Sequence, residues 1–98
     1  MEKNDFTILF VDDESNNLVS FRATFRRDYK VHVAGSAREG IALLRDHEVH
    51  LIITDQRMPE MTGVEFLEKI IPLYPETIRM IITGFSDIEA VVDAINKG

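Results

Sequence analysis

The stretch LIITDQRMPEMTGVEFLEKIIPLYPETIRMII, residues 51–82, holds two apolar runs separated by an amphipathic segment. Leu51-Ile-Ile-Thr54 and Ile78-Arg-Met-Ile-Ile82 are rich in β-branched residues and too short for helices, so each reads as a strand. Between them Val64, Leu67 and Ile71 recur at helical spacing, and Thr62 followed by Glu65 is a capping-box signature. Pro72 and Pro75 close that helix before the second run begins. Strand, helix and strand in this order make a βαβ unit, and such units build parallel sheets.

The same alternation extends to both sides. Ile8-Leu-Phe-Val11 and Val31-His-Val-Ala34 predict two earlier strands. Leu18, Phe21 and Phe25 share one face of a first helix, and Ala37, Ile41 and Leu44 share one face of a second. Beyond Ile82, the spacing of Ile88, Val91, Val92 and Ile95 predicts a fourth helix. Ser36 with Glu39 and Ser86 with Glu89 repeat the capping box. The first, third and fourth strands read as buried on both faces, whereas the more polar second suits a sheet edge. No linker or low-complexity tract interrupts the pattern. Residues 1–98 therefore read as a single α/β domain.

Composition narrows the function. With 98 residues and 45% hydrophobic content, the chain can bury one core but not two. Seventeen acidic residues against eleven basic ones leave a net charge of -6. Such a chain has no diffuse attraction to DNA, RNA or anionic lipid, so neither nucleic acid nor membrane is an expected partner. No apolar run approaches spanning length, and Met1-Glu-Lys-Asn-Asp5 lacks the basic flank and apolar stretch of a secretory signal. The absence of cysteine excludes disulfides and thiolate chemistry and fits the expected cytoplasmic location.

In an open parallel sheet, ligands gather at the carboxyl ends of the strands. There the first strand runs into Asp12-Asp13-Glu14, the third ends in Asp55, and the fourth ends in Thr83-Gly84. If the first and third strands are neighbours, three carboxylates converge with a hydroxyl beside them. Crowded carboxylates repel, so at least one should have a raised pKa unless a cation sits among them. Mg²⁺ suits the set, because it takes one or two carboxylates and leaves positions for phosphate oxygens. Asp55 could then act as a nucleophile towards a phosphoryl group, with Thr83 as hydroxyl donor.

Blander readings exist for each piece. Asp12-Asp13 could merely start the next helix, and Thr83-Gly84 could be an ordinary turn. Their joint placement with Asp55 favours a site. Met58 and Met61 read as packing residues. His47 and His50 read as solvated polar residues of a helix-to-strand connection. Arg22, Arg26 and Arg27 read as a solvated basic face.

Three pieces together resemble the receiver domain of bacterial two-component response regulators, of the chemotaxis-regulator-like kind. They are Phe10-Val-Asp-Asp-Glu14, then Ile52-Ile-Thr-Asp-Gln-Arg-Met-Pro-Glu-Met-Thr-Gly63, then Met80-Ile-Ile-Thr-Gly84. Asp-x-x-Met-Pro-x-Met-x-Gly after an apolar strand, in order with the other two, is highly specific. The resemblance implies a flavodoxin-like, doubly wound parallel sheet. The family order is 2-1-3-4-5, here reduced to 2-1-3-4. By resemblance Asp55 is the phosphoacceptor, receiving its phosphoryl group from a sensor histidine kinase, and Mg²⁺ is the cofactor. Asp13 and Asp55 are similar to the direct metal ligands, Asp12 to one acting through water, and the Arg57 backbone carbonyl to a further ligand. Thr83 resembles the switch hydroxyl, and Met58-Pro59 with Gly63 the loop that leads away from Asp55.

The family continues into a fifth strand, ending in a phosphate-contacting Lys, and a fifth helix. The sequence has no equivalent, and Lys97 is not a credible substitute. The domain is therefore expected to be truncated at its C-terminal end, with the fourth strand's edge and one sheet face uncovered. That predicts either a homodimer associating through this edge or a longer parent chain carrying an output domain, with an effector protein as the other recipient of the signal. The implied role is signalling, with catalysis limited to the module's own phosphorylation and dephosphorylation. A pseudo-receiver acting as an interaction module is the alternative, disfavoured by the retained acids and Thr83. A Mg²⁺-dependent phosphatase would need a general acid or base and a substrate-covering cap, and neither is evident.

Overall fold

All four apolar runs become five-residue strands in the computed structural model, which describes residues 2–84 together with Val92 and Asn96. They are β1 (Thr7–Val11), β2 (Lys30–Ala34), β3 (Leu51–Asp55) and β4 (Ile78–Ile82). Three helices intervene: α1 (Ser15–Phe25), α2 (Ala37–Asp46) and α3 (Gly63–Ile70). Every strand pair is parallel, and the order across the sheet is β2-β1-β3-β4. This is the flavodoxin-like arrangement that the resemblance implied.

Alternation along β1 sends side chains to two different layers. Leu9 and Val11, fully buried, join Ile52 and Ala34 in one core with Ala37 and Leu44 of α2 and Phe66, Leu67 and Ile70 of α3. Phe10 points the other way and stacks on Phe21 of α1 with ring centroids 4.3 Å apart. The helices therefore cover opposite faces, and the sheet is doubly wound. The chain steps outward from β1 to β2, then returns to place β3 on β1's other side, so strand order reverses between β1 and β3. Right-handed crossovers turn that reversal into a crevice at the strands' carboxyl ends.

The helix starts follow their caps. At α3 the Thr62 hydroxyl accepts from the Glu65 N–H at 3.2 Å, and the Glu65 carboxylate accepts from the Thr62 N–H at 2.9 Å. At α2 only one arm of the box closes as expected. Ser36 Oγ accepts from Glu39 N at 3.1 Å, while the Glu39 carboxylate turns one residue further back to the Gly35 N–H. The pair Ser86 and Glu89, with Ile88, Val91 and Ile95 of the expected fourth helix, lies outside the described residues; Val92 and Asn96 are helical.

Three readings are corrected. First, β1 alone is buried along its whole length. On β4, Ile78, Met80 and Ile82 are 57%, 51% and 49% exposed, and Leu51, Ile53 and Asp55 of β3 are half-buried. These residues are in register with one another on the Phe10 face. Among the described helices only α1 packs there, and it lies over β1 and β2. Second, the inward residues of α3 are Val64, Phe66, Leu67 and Ile70, while Ile71 is exposed where the chain turns towards Pro72.

Third, His50 is structural. Its Nδ1 accepts from the Thr7 N–H at 3.0 Å, its ring stacks on Phe6 at 5.1 Å, and Nε2 lies 3.3 Å from the Glu48 carboxylate. His47 stacks on His32 at 4.2 Å, and burial, with His47 beside it, holds the His32 pKa below its ordinary 6.5. Sequence spacing cannot show either contact, because both join segments from different strands and helices. Arg22, Arg26 and Arg27 are all exposed as expected, and Arg22 also donates to the Val31 carbonyl of edge strand β2 at 3.0 Å.

Candidate functional site

β1 ends at Val11, which is in register with Thr54, so the residues that follow leave the sheet beside Asp55. One carboxylate oxygen from each of Asp12, Asp13 and Asp55 can be chosen so that all lie within 4.8 Å of one another. The condition set by the sequence, that the first and third strands be neighbours, is met. Asp12 is only 5% exposed and is anchored through both oxygens. Oδ1 accepts from the Glu14 N–H and Oδ2 from Asn17 Nδ2, each at 2.9 Å. Its own N–H donates to the Ala34 carbonyl at 3.0 Å. A buried carboxylate needs such donors to offset its lost hydration.

Asp13 is exposed and Asp55 half-buried at the same mouth. Burial raises the Asp55 pKa above its ordinary 3.8, and the charge of Asp12 adds to that, with Asp13 contributing less. The N–H groups of Gln56 and Arg57 pull in the opposite direction. The raised pKa expected of one crowded acid thus falls on Asp55. Folded protein holds this proton to higher pH than unfolded chain does. Stability is lost as pH rises through the folded pKa, and the loss persists at neutral pH. In metal-free buffer, the melting temperature of Asp55→Asn should therefore exceed that of wild type by a margin that opens as pH rises above the ordinary carboxylate range. A gap independent of pH would contradict the assignment.

The segment after Asp55 is closed at its base. Gly63 N–H donates to the Gln56 carbonyl at 3.1 Å, and Gln56 Oε1 accepts from the buried Val64 N–H at 2.9 Å. Within the loop, Met61 N–H reaches the Pro59 carbonyl at 2.7 Å and Glu60 takes a left-handed φ of 70°. Met58 and Met61 pack against the core, as expected. Arg57 lies exposed at the start of the loop. Thr83 follows Ile82, which is in register with Asp55 and accepts from the Gln56 N–H at 3.0 Å. The fold thus brings Thr83 to the same end of the sheet as the three acids.

Sequence reasoning missed Asn17 and Gln56. Asn17 carries a signal in hindsight, since it lies one helical turn into the segment after Asp12 and can reach back to it. Gln56 carries none, because its partners are set by loop closure. As a metal site, the cluster offers only hard oxygen donors, which fit a divalent ion such as Mg²⁺ and not a soft metal. Asp12 is tied at both oxygens, whereas Asp13 is open to solvent and Asp55 partly so.

A family model described as "Response regulator receiver domain" matches residues 8–98. Among characterised relatives, the hydrogenase transcriptional regulatory protein HoxA of Bradyrhizobium diazoefficiens is 41% identical over 93% of this chain and 19% of its own length. The transcriptional regulatory protein ZraR of Escherichia coli is 32% identical over 100% of this chain and 22% of its own. The chain spans about a fifth of the length of these relatives. Among solved structures, a protein from Neptuniibacter caesariensis aligns with TM-score 0.90 and 36% identity, over 100% of this chain and 73% of that one. A receiver domain protein (CheY-like) from Methanospirillum hungatei aligns with TM-score 0.84 and 33% identity, over 95% and 75%.

Proposed function

The chain belongs to the response regulator receiver family, and from that premise we propose that it takes a phosphoryl group on Asp55 and relays that state through Thr83. The observation that carries the reading is the convergence of Asp12, Asp13 and Asp55 at the carboxyl ends of β1 and β3. An Asp55 carboxylate oxygen attacks phosphorus, the bond from phosphorus to the donor breaks (P–N for an imidazole, P–O for an acyl phosphate), and the donor leaves with that electron pair. The donor is the imidazole of a sensor histidine kinase or a small acyl phosphate.

Asp12, Asp13, Asp55 and the Arg57 carbonyl are the atoms that would hold Mg²⁺, which neutralises the charge gathering on the transferring group. Asp12 contributes from its buried, doubly bonded position. Incubation with acetyl phosphate and Mg²⁺, read by intact mass, tests the proposal. One phosphoryl adduct is expected, and none would refute it. Turnover of the donor without an adduct would mark a phosphatase instead.

An aspartyl phosphate adds charge and acceptor oxygens, which the Thr83 hydroxyl at the neighbouring strand end can meet. Thr83→Ala should still be phosphorylated yet lose most of the conformational response. Amide exchange compared with and without phosphorylation checks this, and an unchanged response in the variant would refute it.

The signal passes to an output domain or effector protein, in keeping with the transcriptional regulators of which this chain matches one part. A net charge of -6 argues against direct nucleic-acid contact. Among the described residues no helix is long and apolar enough to cross a membrane, and a cysteine-free chain suits the cytoplasm. Exposed Ile78, Met80 and Ile82 on strand β4 favour association through this edge, with a second copy or with a further part of a longer parent chain. Sedimentation equilibrium at tens of micromolar should show association; an ideal monomer would refute pairing with a second copy.

A further inference from the structure

We propose that Gln56 is the positioning residue of the phosphoacceptor loop, its side chain holding the loop's base where metal binding needs it. The inference rests on the phosphoacceptor reading above. Gln56 directly follows Asp55 and is 8% exposed. Three hydrogen bonds meet at this one residue. Its N–H donates to Ile82 at 3.0 Å, its carbonyl accepts from Gly63 at 3.1 Å, and its Oε1 accepts from Val64 at 2.9 Å. The first two are main-chain bonds that any residue other than proline would make. The third needs a side-chain acceptor of this length.

That third bond has a specific job. The first N–H groups of a helix lack partners within it. In α3 the Gly63 and Val64 N–H groups are both taken by Gln56, and those of Glu65 and Phe66 by Thr62. An apolar side chain at position 56 would leave the Val64 N–H buried and unpaired, a costly state that the loop would relieve by moving. Arg57 is the next residue. Its N–H acts on the Asp55 carboxylate, and its carbonyl is a proposed metal ligand. Displacing the base of the loop shifts both. Ile82, held by the same residue, immediately precedes Thr83. Gln56 therefore ties together the starts of α3 and of the loop and the end of β4.

The test separates positioning from simple helix capping. Gln56→Met keeps the volume and removes the acceptor, while Gln56→Glu keeps an acceptor and places a carboxylate where a helix N-terminus favours one. Gln56→Asn falls one methylene short of the Val64 N–H and serves if Gln56→Met does not fold. In the whole chain, phosphorylation by acetyl phosphate is followed against Mg²⁺ concentration, below each variant's melting temperature. For Gln56→Met the half-saturating Mg²⁺ concentration should rise roughly 10–100-fold, as is typical when a group supporting a metal ligand is lost. The rate at saturating Mg²⁺ should change less, and Gln56→Glu should stay near wild type. A lowered melting temperature with unchanged Mg²⁺ half-saturation would reduce Gln56 to a cap and overturn the inference alone. A wild-type chain that takes up no phosphoryl group would overturn the phosphoacceptor reading, and this inference with it.

Discussion

Asp55→Asn should take up no phosphoryl group from acetyl phosphate under conditions where the wild-type chain gains one. The substitution preserves shape and volume, so the strand end and its neighbours need not move. It replaces a carboxylate oxygen by an amide, whose lone pairs are delocalised into the carbonyl and attack phosphorus poorly. It also removes a charge that burial and Asp12 both disfavour, so the variant should melt at or above the wild-type temperature in metal-free buffer. Loss of uptake together with retained stability isolates chemistry from folding. Intact mass read beside thermal unfolding gives both quantities from one preparation. Phosphoryl label on any other residue of the wild-type chain would remove Asp55 from the central role.

The second large effect is on stability and concerns Gly63. A Cβ built there would lie 2.5 Å from the Asp55 carbonyl oxygen and 3.1 Å from both Asp55 C and Gln56 Cα. All three are main-chain atoms at the end of β3 and cannot swing aside as a side chain would. No described glycine has a positive φ, so the constraint is space, not backbone conformation. Gly63→Ala should therefore cost about 1–3 kcal/mol, the usual price of overpacking. Each kcal/mol lowers the melting temperature by roughly 4–8 °C in a domain of this size. Phosphorylation should slow as well, because the displaced atoms belong to the phosphoacceptor.

Gly40 supplies the control. A Cβ there would meet Phe66 Cζ and Val11 Cγ2 at 3.2 Å. Those are side-chain atoms that can give by a few tenths of an ångström, and alanine also favours a helix interior. Gly40→Ala should be much milder than Gly63→Ala. Equal melting temperatures for Gly63→Ala and wild type would show that the close approach is not a constraint.

Strand and helix identities were legible because they depend on local periodicity. Leu51-Ile-Ile-Thr54 and the spacing of Ala37, Ile41 and Leu44 report a face to be buried whatever covers it. The acids were legible for a related reason, since a carboxylate at the end of an apolar strand stands out within a few residues. What covers a face is not local. Ile78, Met80 and Ile82 look like core residues in one dimension, yet stand half-exposed because α1 lies over the other two strands. Phe66 and Ile70 reach the core where Ile71 does not, because α3 ends at Ile70.

The site divides in the same way. Sequence alone selected Asp12, Asp13, Asp55 and Thr83 and stated the condition for their meeting. Only strand pairing satisfied it, by setting Val11 beside Thr54 and Asp55 beside Ile82. The burial of Asp12 and its bonds to Glu14 and Asn17, the stacking of His50 on Phe6, and the threefold bonding of Gln56 were decided by tertiary structure. Such contacts depend on where chain segments pass in space, and a buried polar atom takes whichever partner the fold brings within about 3 Å.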